Sequence, residues 1–488
     1  MRIRNALFWA LLAPALAMNS DKYVVHKSKF DPSRQMRVKS HPEGAVCDGG
    51  VASHSGWADL GNHHMFFWYY ESRSAAPDAP VMVWFTGGPG GSSQASALVE
   101  NGDCKFDRDS QKPTRNPYGW TEEFHMVYID QPVGVGFSYL DHGNTPSTTD
   151  EAAPDVVGFL RLFAESFPHL AKNPLHLAGE SYGGRWIPVF GDWVNQYNKV
   201  VAEEQRIPLA SLIAISAWSH PMVQLPTTYD VACWPFKGYP PALNDTTCTA
   251  MAAEYESCKT LLDACDSSQD GIMCGEAAKL CHKGILDYLY TQKVNKYDRR
   301  MVCPAPSQCY PIMDEMEAWM NTEAIFEDLL DITNQTSGKK GSYQFMDSQT
   351  YLNLVASGDL VVNSLKHIET ILQDRVVPVL YTASDADMMV NIKGVGEALD
   401  NMRWHGRPFF KNAPFEELPF KTSAGHAGGR VKKSEKLWYA ELAEAGHMAP
   451  YDQPAGTLEL MKIWLAGINH GLVGLRKDDK QSFLGADL

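Results

Sequence analysis

Several short runs of this 488-residue chain are apolar from end to end, among them Val127–Ile129, Leu212–Ile215 and Val376–Tyr381. A strand with no polar face must be covered on both sides, which is the condition of a parallel sheet layered between helices. Strand-like runs recur at 65–72, 81–86, 125–130, 174–179, 212–217, 376–382 and 436–443, and helical patterns alternate with several of them at 150–172, 183–205, about 392–404 and 454–469. That alternation predicts an α/β fold. From about 219 to 349 the pattern breaks: helical pieces such as TLLDACDSS and MDEMEAWMNTEAIFEDLLDI follow one another without an apolar strand. Eight of the ten cysteines lie between Cys233 and Cys309, so this stretch reads as a lid inserted into the α/β unit and stapled because it has little core of its own. The core is expected over 47–218 and 350–475, with a polar, patternless segment over 18–46 ahead of it and a tail over 476–488 behind.

The cysteines need an oxidising compartment, and the N-terminus supplies a route to one. Arg2 and Arg4 precede an apolar run from Ala6 to Leu16, and Ala15-Leu16-Ala17 forms a small-x-small cleavage site. These features predict a signal peptide over 1–17 and passage through the secretory pathway. No later run reaches the roughly 18 apolar residues of a membrane span, so no membrane partner is expected. In that compartment ten cysteines suggest disulfides. A zinc site is not expected, because no C-x-x-C pair exists. Tripeptides at Asn244 and Asn334 fit N-glycosylation. A net charge of −15 argues against nucleic acid or an anionic membrane as the partner.

Two glycine-rich turns carry the chemistry. VMVWFTGGPGGSSQ, residues 81–94, runs from strand to glycines to helix, an arrangement that offers backbone N–H groups to an anion. A phosphate is ruled out as that anion, since no lysine follows the glycines as a P-loop requires. Gly179-Glu180-Ser181-Tyr182-Gly183 is a G-x-S-x-G between a predicted strand and a predicted helix. Such a turn exposes the serine Oγ and leaves no room for flanking side chains. A nucleophilic serine needs a base, and the base an orienting acid. VVPVLYTASDAD ends a strand in Asp385 and Asp387, and EAGHMAPYDQP places His447 after another, in the Ser, Asp, His order of α/β-hydrolases.

These blocks resemble the serine carboxypeptidase family, the group of carboxypeptidase Y. The similarity extends over FFWYYESRSAAPDAPVMVWFTGGPGGSS, NPYGWTEEFHMVYIDQPVGVGFSY, LAGESYGGRWIP, VPVLYTASDADMMVN and AGHMAPYDQP, from about 54 to 460. The resemblance implies an α/β-hydrolase fold, with a mostly parallel central sheet, helices on both faces and a helical, disulfide-rich lid. It implies Ser181 as nucleophile, His447 as general base and Asp387 as its orienter, the second Asp of D-x-D-x-x-x-N. The N–H groups of Gly88 and Tyr182 would form the oxyanion hole. Thr86, Glu100 and Glu180 would bind the substrate's C-terminal carboxylate, and one glutamate must hold a proton to do so, which favours acidic pH. Trp84 and Met448 would line the substrate pocket, and the apolar Met448 suggests hydrophobic leaving residues. Family spacings imply the disulfides Cys233–Cys248, Cys258–Cys281, Cys265–Cys274 and Cys303–Cys309, with Cys47–Cys104 remaining.

The chain departs from the family at Thr86, where an asparagine amide usually donates to the carboxylate; at Gly91, where a cysteine is usual; and at Ser384 and Val390. A serine carboxypeptidase of a secreted, lysosomal or vacuolar setting, acting on peptide or protein C-termini without metal or organic cofactor, is the expectation. The alternatives are a carboxypeptidase-like acyltransferase or esterase, and an inactive secreted scaffold. Whether the chain is a monomer or a homodimer stays open.

Overall fold

Side-chain alternation decides how the central strands sit. Along Val81–Phe85, residues Val81, Val83 and Phe85 enter one buried cluster, while Met82 and Trp84 enter another, as the two-residue period of a strand requires. Leu175–Glu180 and Val379–Ser384 are buried at every position. The computed structural model describes residues 23–469 except 75, 269, 292–293, 304–308 and 333–341. The expected signal peptide, Asn334 and the tail 476–488 therefore lie outside the described residues.

One sheet of thirteen strands organises the molecule. In chain order the strands are β1 (Val24–Lys27), β2 (Gln35–His41), β3 (Ser53–Asp59), β4 (His63–Tyr70), β5 (Val81–Phe85), β6 (Cys104–Asp107), β7 (Lys112–Arg115), β8 (His125–Ile129), β9 (Tyr139–Leu140), β10 (Leu175–Glu180), β11 (Leu209–Ile215), β12 (Val379–Ser384), β13 (Phe415–Glu417), β14 (Gly429–Lys433) and β15 (Leu437–Leu442). Their order in the sheet is β1-β2-β3-β4-β8-β5-β10-β11-β12-β15-β14-β13, with β9 beside β4, and β6 and β7 pair separately. The expected parallel arrangement holds at the centre, from β8 through β5, β10, β11 and β12 to β15. Both flanks are antiparallel.

Helices cover both faces. On one face lie α2 (Thr149–Ser166) and α3 (Gly183–Val200), which bury Phe159, Phe163, Trp186 and Phe190. On the other lie α1 (Ser93–Val99) and the C-terminal helix Pro454–Asn469, through Leu98, Leu460 and Trp464. Each buried leucine or phenylalanine contributes about 1.5–3 kcal/mol.

Residues 23–46 are not the patternless segment expected: β1 and β2 extend the sheet edge. Met36 and Val38 face inward, and between them Arg37 pairs with Asp59 at 2.7 Å and lies over the Trp57 ring. The neighbouring β3 hides its register behind serines, which are buried because His41 and Trp68 hydrogen-bond to Ser55 and Ser53.

The chain leaves the sheet after β11 and returns at β12. The excursion holds α4 (Pro221–Cys233), α5 (Asp245–Ser268), α6 (Gly271–Cys281) and the helix Ile312–Met320. Its apolar residues join the clusters of the two sheet faces, Met251 and Leu262 on one and Met313 and Met316 on the other, so the lid shares the core of the α/β unit. The five disulfides follow the pairing implied by the family resemblance. Asn244 is exposed, and its side chain accepts from Thr247 N–H at the start of α5. No described helix is long and apolar enough to cross a membrane.

Candidate active site

Between the end of β10 at Glu180 and the start of α3 at Gly183, two residues reverse the chain. Ser181 takes φ +61°, the left-handed region that costs a non-glycine residue about 1–2 kcal/mol. Three backbone hydrogen bonds hold it there. Its N–H donates to Ile215 O at 3.0 Å, and its carbonyl accepts from Gly184 N at 2.9 Å and Trp218 N at 2.8 Å.

His447 follows β15 and Asp387 follows β12, both at the carboxyl ends of central strands. Both are buried. Nδ1 of His447 lies 2.7 Å from Asp387 Oδ2, while Oδ1 accepts from Met389 N at 2.9 Å and Val390 N at 3.0 Å. A carboxylate so bonded can only accept from the ring, which makes Nδ1 the donor and leaves the lone pair on Nε2. That Nε2 is buried without a hydrogen-bond partner among the described residues, and it shares a cavity with Ser181. Asp385 makes no bond to the imidazole; burial pushes its carboxyl up.

Three supporting residues escaped the sequence reasoning. Ser216 Oγ donates to the His447 carbonyl at 2.8 Å. Tyr297 of the lid accepts from His447 N–H at 2.7 Å and lays its ring 4.9 Å from the imidazole. Asp452 Oδ2 accepts from Gly446 N–H at 2.6 Å, fixing the residue before the histidine. Only Asp452 had a local signal, an acid inside AGHMAPYDQP. A fourth, Asp359, comes from the chain returning from the lid. Its buried carboxylate accepts from the hydroxyls of Tyr182 and Thr149 and pairs with Arg185 at 3.0 Å, clamping the first turn of α3.

The N–H groups of Gly88 and Tyr182 donate to no group among the described residues. Gly87 is where the two turns touch: a Cβ there would lie 2.5 Å from Tyr182 N and 2.7 Å from Ser181 Cβ. Gly88 takes φ +114°, in which a side chain would be strained.

On the same cavity wall Thr86, Glu100 and Glu180 converge. Thr86 Oγ1 accepts from Trp84 Nε1 at 3.1 Å and lies 2.8 Å from Ser96 Oγ, and Ser96 Oγ donates to Glu100 Oε1 at 2.8 Å. Glu100 and Glu180 influence each other's protonation, and Glu100 Oε2 and Glu180 Oε1 are both buried without a hydrogen-bond partner among the described residues. Burial pushes both carboxyls up. Glu180 rises furthest, because the Glu100 charge adds to burial, so the pair keeps a proton. Met448 lines the cavity as expected, beside Tyr310 and Met313. Trp84 does not. It points to the opposite side of β5 from Phe85, fully buried against Trp120, and reaches the site only through its N–H to Thr86. The cavity measures about 360 Å³. Among the described residues one group of metal-ligating types gathers, Cys47, Asp103 and Cys104, and its sulfurs are joined in a disulfide that offers no thiolate.

Comparison with known proteins agrees with this geometry. A profile of the family described as serine carboxypeptidase matches residues 46–467. Carboxypeptidase Y homolog A of Trichophyton verrucosum (strain HKI 0517) is 33% identical over 441 residues, covering 89% of this chain and 78% of that protein. The homolog A of Trichophyton rubrum is 32% identical over 428 residues, covering 87% and 76%. In fold, the chain is similar to the crystal structure of Kex1, a prohormone-processing carboxypeptidase from Saccharomyces cerevisiae. The TM-score is 0.72 at 20% identity, over 87% of this chain and 92% of that one. With the match running through every strand of the parallel centre, the chain belongs to the serine carboxypeptidase family.

Proposed function

We propose that the protein removes C-terminal residues from peptides at acidic pH, with Ser181, His447 and Asp387 as the catalytic triad. The observation that carries this reading is the buried carboxyl pair Glu100–Glu180 on the wall of the cavity that also holds Ser181 and His447. An endopeptidase has no use for a buried carboxyl pair in its substrate cavity, whereas a substrate carboxylate bound beside that pair needs a hydrogen-bond donor, which a protonated carboxyl supplies. His447 Nε2 takes the Ser181 proton as Oγ attacks the last peptide carbonyl, and the N–H groups of Gly88 and Tyr182 receive the oxyanion. The C–N bond then breaks, Nε2 returns the proton to the leaving amine, and water hydrolyses the acyl-enzyme by the same exchange. The five disulfides and the N-terminal sequence support passage through the secretory pathway to a secreted, lysosomal or vacuolar destination.

Mass spectrometry of a peptide incubated at about pH 5 tests the reading. Stepwise loss of C-terminal residues, faster for hydrophobic ones because Met448, Tyr310 and Met313 line the cavity, is expected. Ser181→Ala abolishes it and prevents labelling by a serine-reactive phosphonate. Internal cleavage refutes exopeptidase action. Ester products from activated acyl donors without trimming assign an acyltransferase, and absence of phosphonate labelling of the parent protein assigns a scaffold.

A further inference from the structure

The geometry points to Ser96 as a positioning residue: it aims the Thr86 hydroxyl into the cavity, toward a substrate carboxylate, when the Glu100 carboxyl carries a proton toward it, and away from the cavity when it does not. This deepens the carboxypeptidase reading and rests on it. Each hydroxyl in the chain Trp84–Thr86–Ser96–Glu100 has one proton to give, and the indole N–H can only donate. With Glu100 Oε1 unprotonated, Ser96 donates to it at 2.8 Å, and the Thr86 proton must then point at Ser96 Oγ, also at 2.8 Å. Thr86 then presents only lone pairs to the cavity, which repel a carboxylate. With a proton on Oε1 the chain reverses. Glu100 donates to Ser96, Ser96 donates to Thr86, and Thr86 Oγ1, already accepting from Trp84 at 3.1 Å, keeps its own proton for the substrate.

All four side chains are buried, so bulk water does not interrupt the chain. Two further oxygens of the carboxyl pair, Glu100 Oε2 and Glu180 Oε1, are buried with no hydrogen-bond partner among the described residues. The pair keeps one proton, and the second is the one that turns the hydroxyls. The charged and titratable groups facing the pair are Lys105 and His447, which favour the Glu100 anion; Asp387 and Asp452, which disfavour the Glu180 anion; and the phenols of Tyr128 and Tyr310. A substrate carboxylate adds a negative charge, so its binding takes up the second proton.

The test separates the Thr86 hydroxyl from the glutamates themselves. KM is measured for a blocked dipeptide with a free C-terminal carboxylate and for its C-terminal amide, with Thr86→Val, Ser96→Ala and the double variant. For the free carboxylate, Thr86→Val raises KM roughly tenfold at about pH 4.5, the loss of one charge-assisted hydrogen bond, and less than about twofold at about pH 7.5. In the Ser96→Ala background the Thr86 hydroxyl turns freely, and its removal raises KM equally at both pH values. The amide shows neither effect. A Thr86→Val ratio that is the same at both pH values with Ser96 present overturns the inference, as does one that changes alike in both backgrounds. If Thr86→Val does not fold, Ser96→Ala alone decides: its KM for the carboxylate at about pH 7.5, relative to the amide, falls several-fold, and no fall overturns the inference. A parent enzyme that releases no C-terminal residue fails the carboxypeptidase reading instead.

Discussion

Replacing Asp359 by alanine removes the one carboxylate that Arg185, Tyr182 and Thr149 share. Arg185 and Asp359 are 4% and 3% exposed, so water does not replace the lost partner. Among the described residues Asp150 is the only other acid paired with Arg185, at 3.5 Å and half-exposed. Burial pushes the Asp359 carboxyl up, but Arg185 and the three hydrogen bonds outweigh it and hold it below the usual carboxylate range. Its ionised form is therefore the stabilising one, so this stability is fully present above the ordinary value of 3.8 and lost as pH falls through the lowered one. Deleting one partner of a buried pair costs about 3–5 kcal/mol, because the other charge stays buried. Guanidinium unfolding with the disulfides intact, followed by tryptophan fluorescence, should show that loss in Asp359→Ala. The double variant Arg185→Met, Asp359→Ala should recover a large part of it, since no charge is stranded. The same clamp fixes Tyr182, one of the two proposed oxyanion donors, so kcat should fall in Asp359→Ala beyond what partial unfolding explains. A single variant within about 1 kcal/mol of the parent, or a double variant at the sum of the singles, would refute the reasoning.

Three further outcomes are expected. Asp387→Asn should lower kcat by about 10⁴-fold, since the amide can present an N–H to Nδ1 and hold the wrong tautomer, whereas Asp385→Asn, with no bond to the ring, should stay within about tenfold; pH-rate profiles of both variants check this. Gly87→Ala should lower kcat by about 10²–10³-fold with smaller change in KM, because a Cβ 2.5 Å from Tyr182 N displaces an oxyanion donor. Burial raises the Asp452 carboxyl from 3.8 to about 6. The protonated acid is then the form the fold prefers, so this stability is full below pH 3.8 and lost as pH rises through 6, on the order of 3 kcal/mol in all. Thermal unfolding should therefore occur at lower temperature at about pH 7.5 than at about pH 4.5, and Asp452→Asn should narrow the difference.

The parallel centre was legible because its strands are apolar on both faces, and Ser181, Asp387 and His447 because each sits in a local motif after such a strand. The sheet edge was not. In β2 and β3 five of the ten buried positions are polar and are satisfied by distant partners, such as Ser55 by His41 on the neighbouring strand, a contact that no local period records. Tyr297, Ser216 and Asp359 support the site across gaps of more than a hundred residues, with no motif of their own. Trp84 failed for a subtler reason: it neighbours Thr86 in sequence, but the alternation of β5 sends its ring into the core and leaves only its N–H for the site.

The hold of Tyr297 on His447 has a consequence for biosynthesis. A ribosome delivers Ser181 first, then the lid, and Asp387 and His447 last. Once they arrive, His447 is still held on one side by the backbone and ring of a residue from the cysteine-rich insertion. A chain whose insertion has not docked keeps Asp387 beside the imidazole but lacks the Tyr297 carbonyl and ring on its other side. The cysteine-rich insertion is thereby part of the support of that imidazole as well as a cover over the shared core.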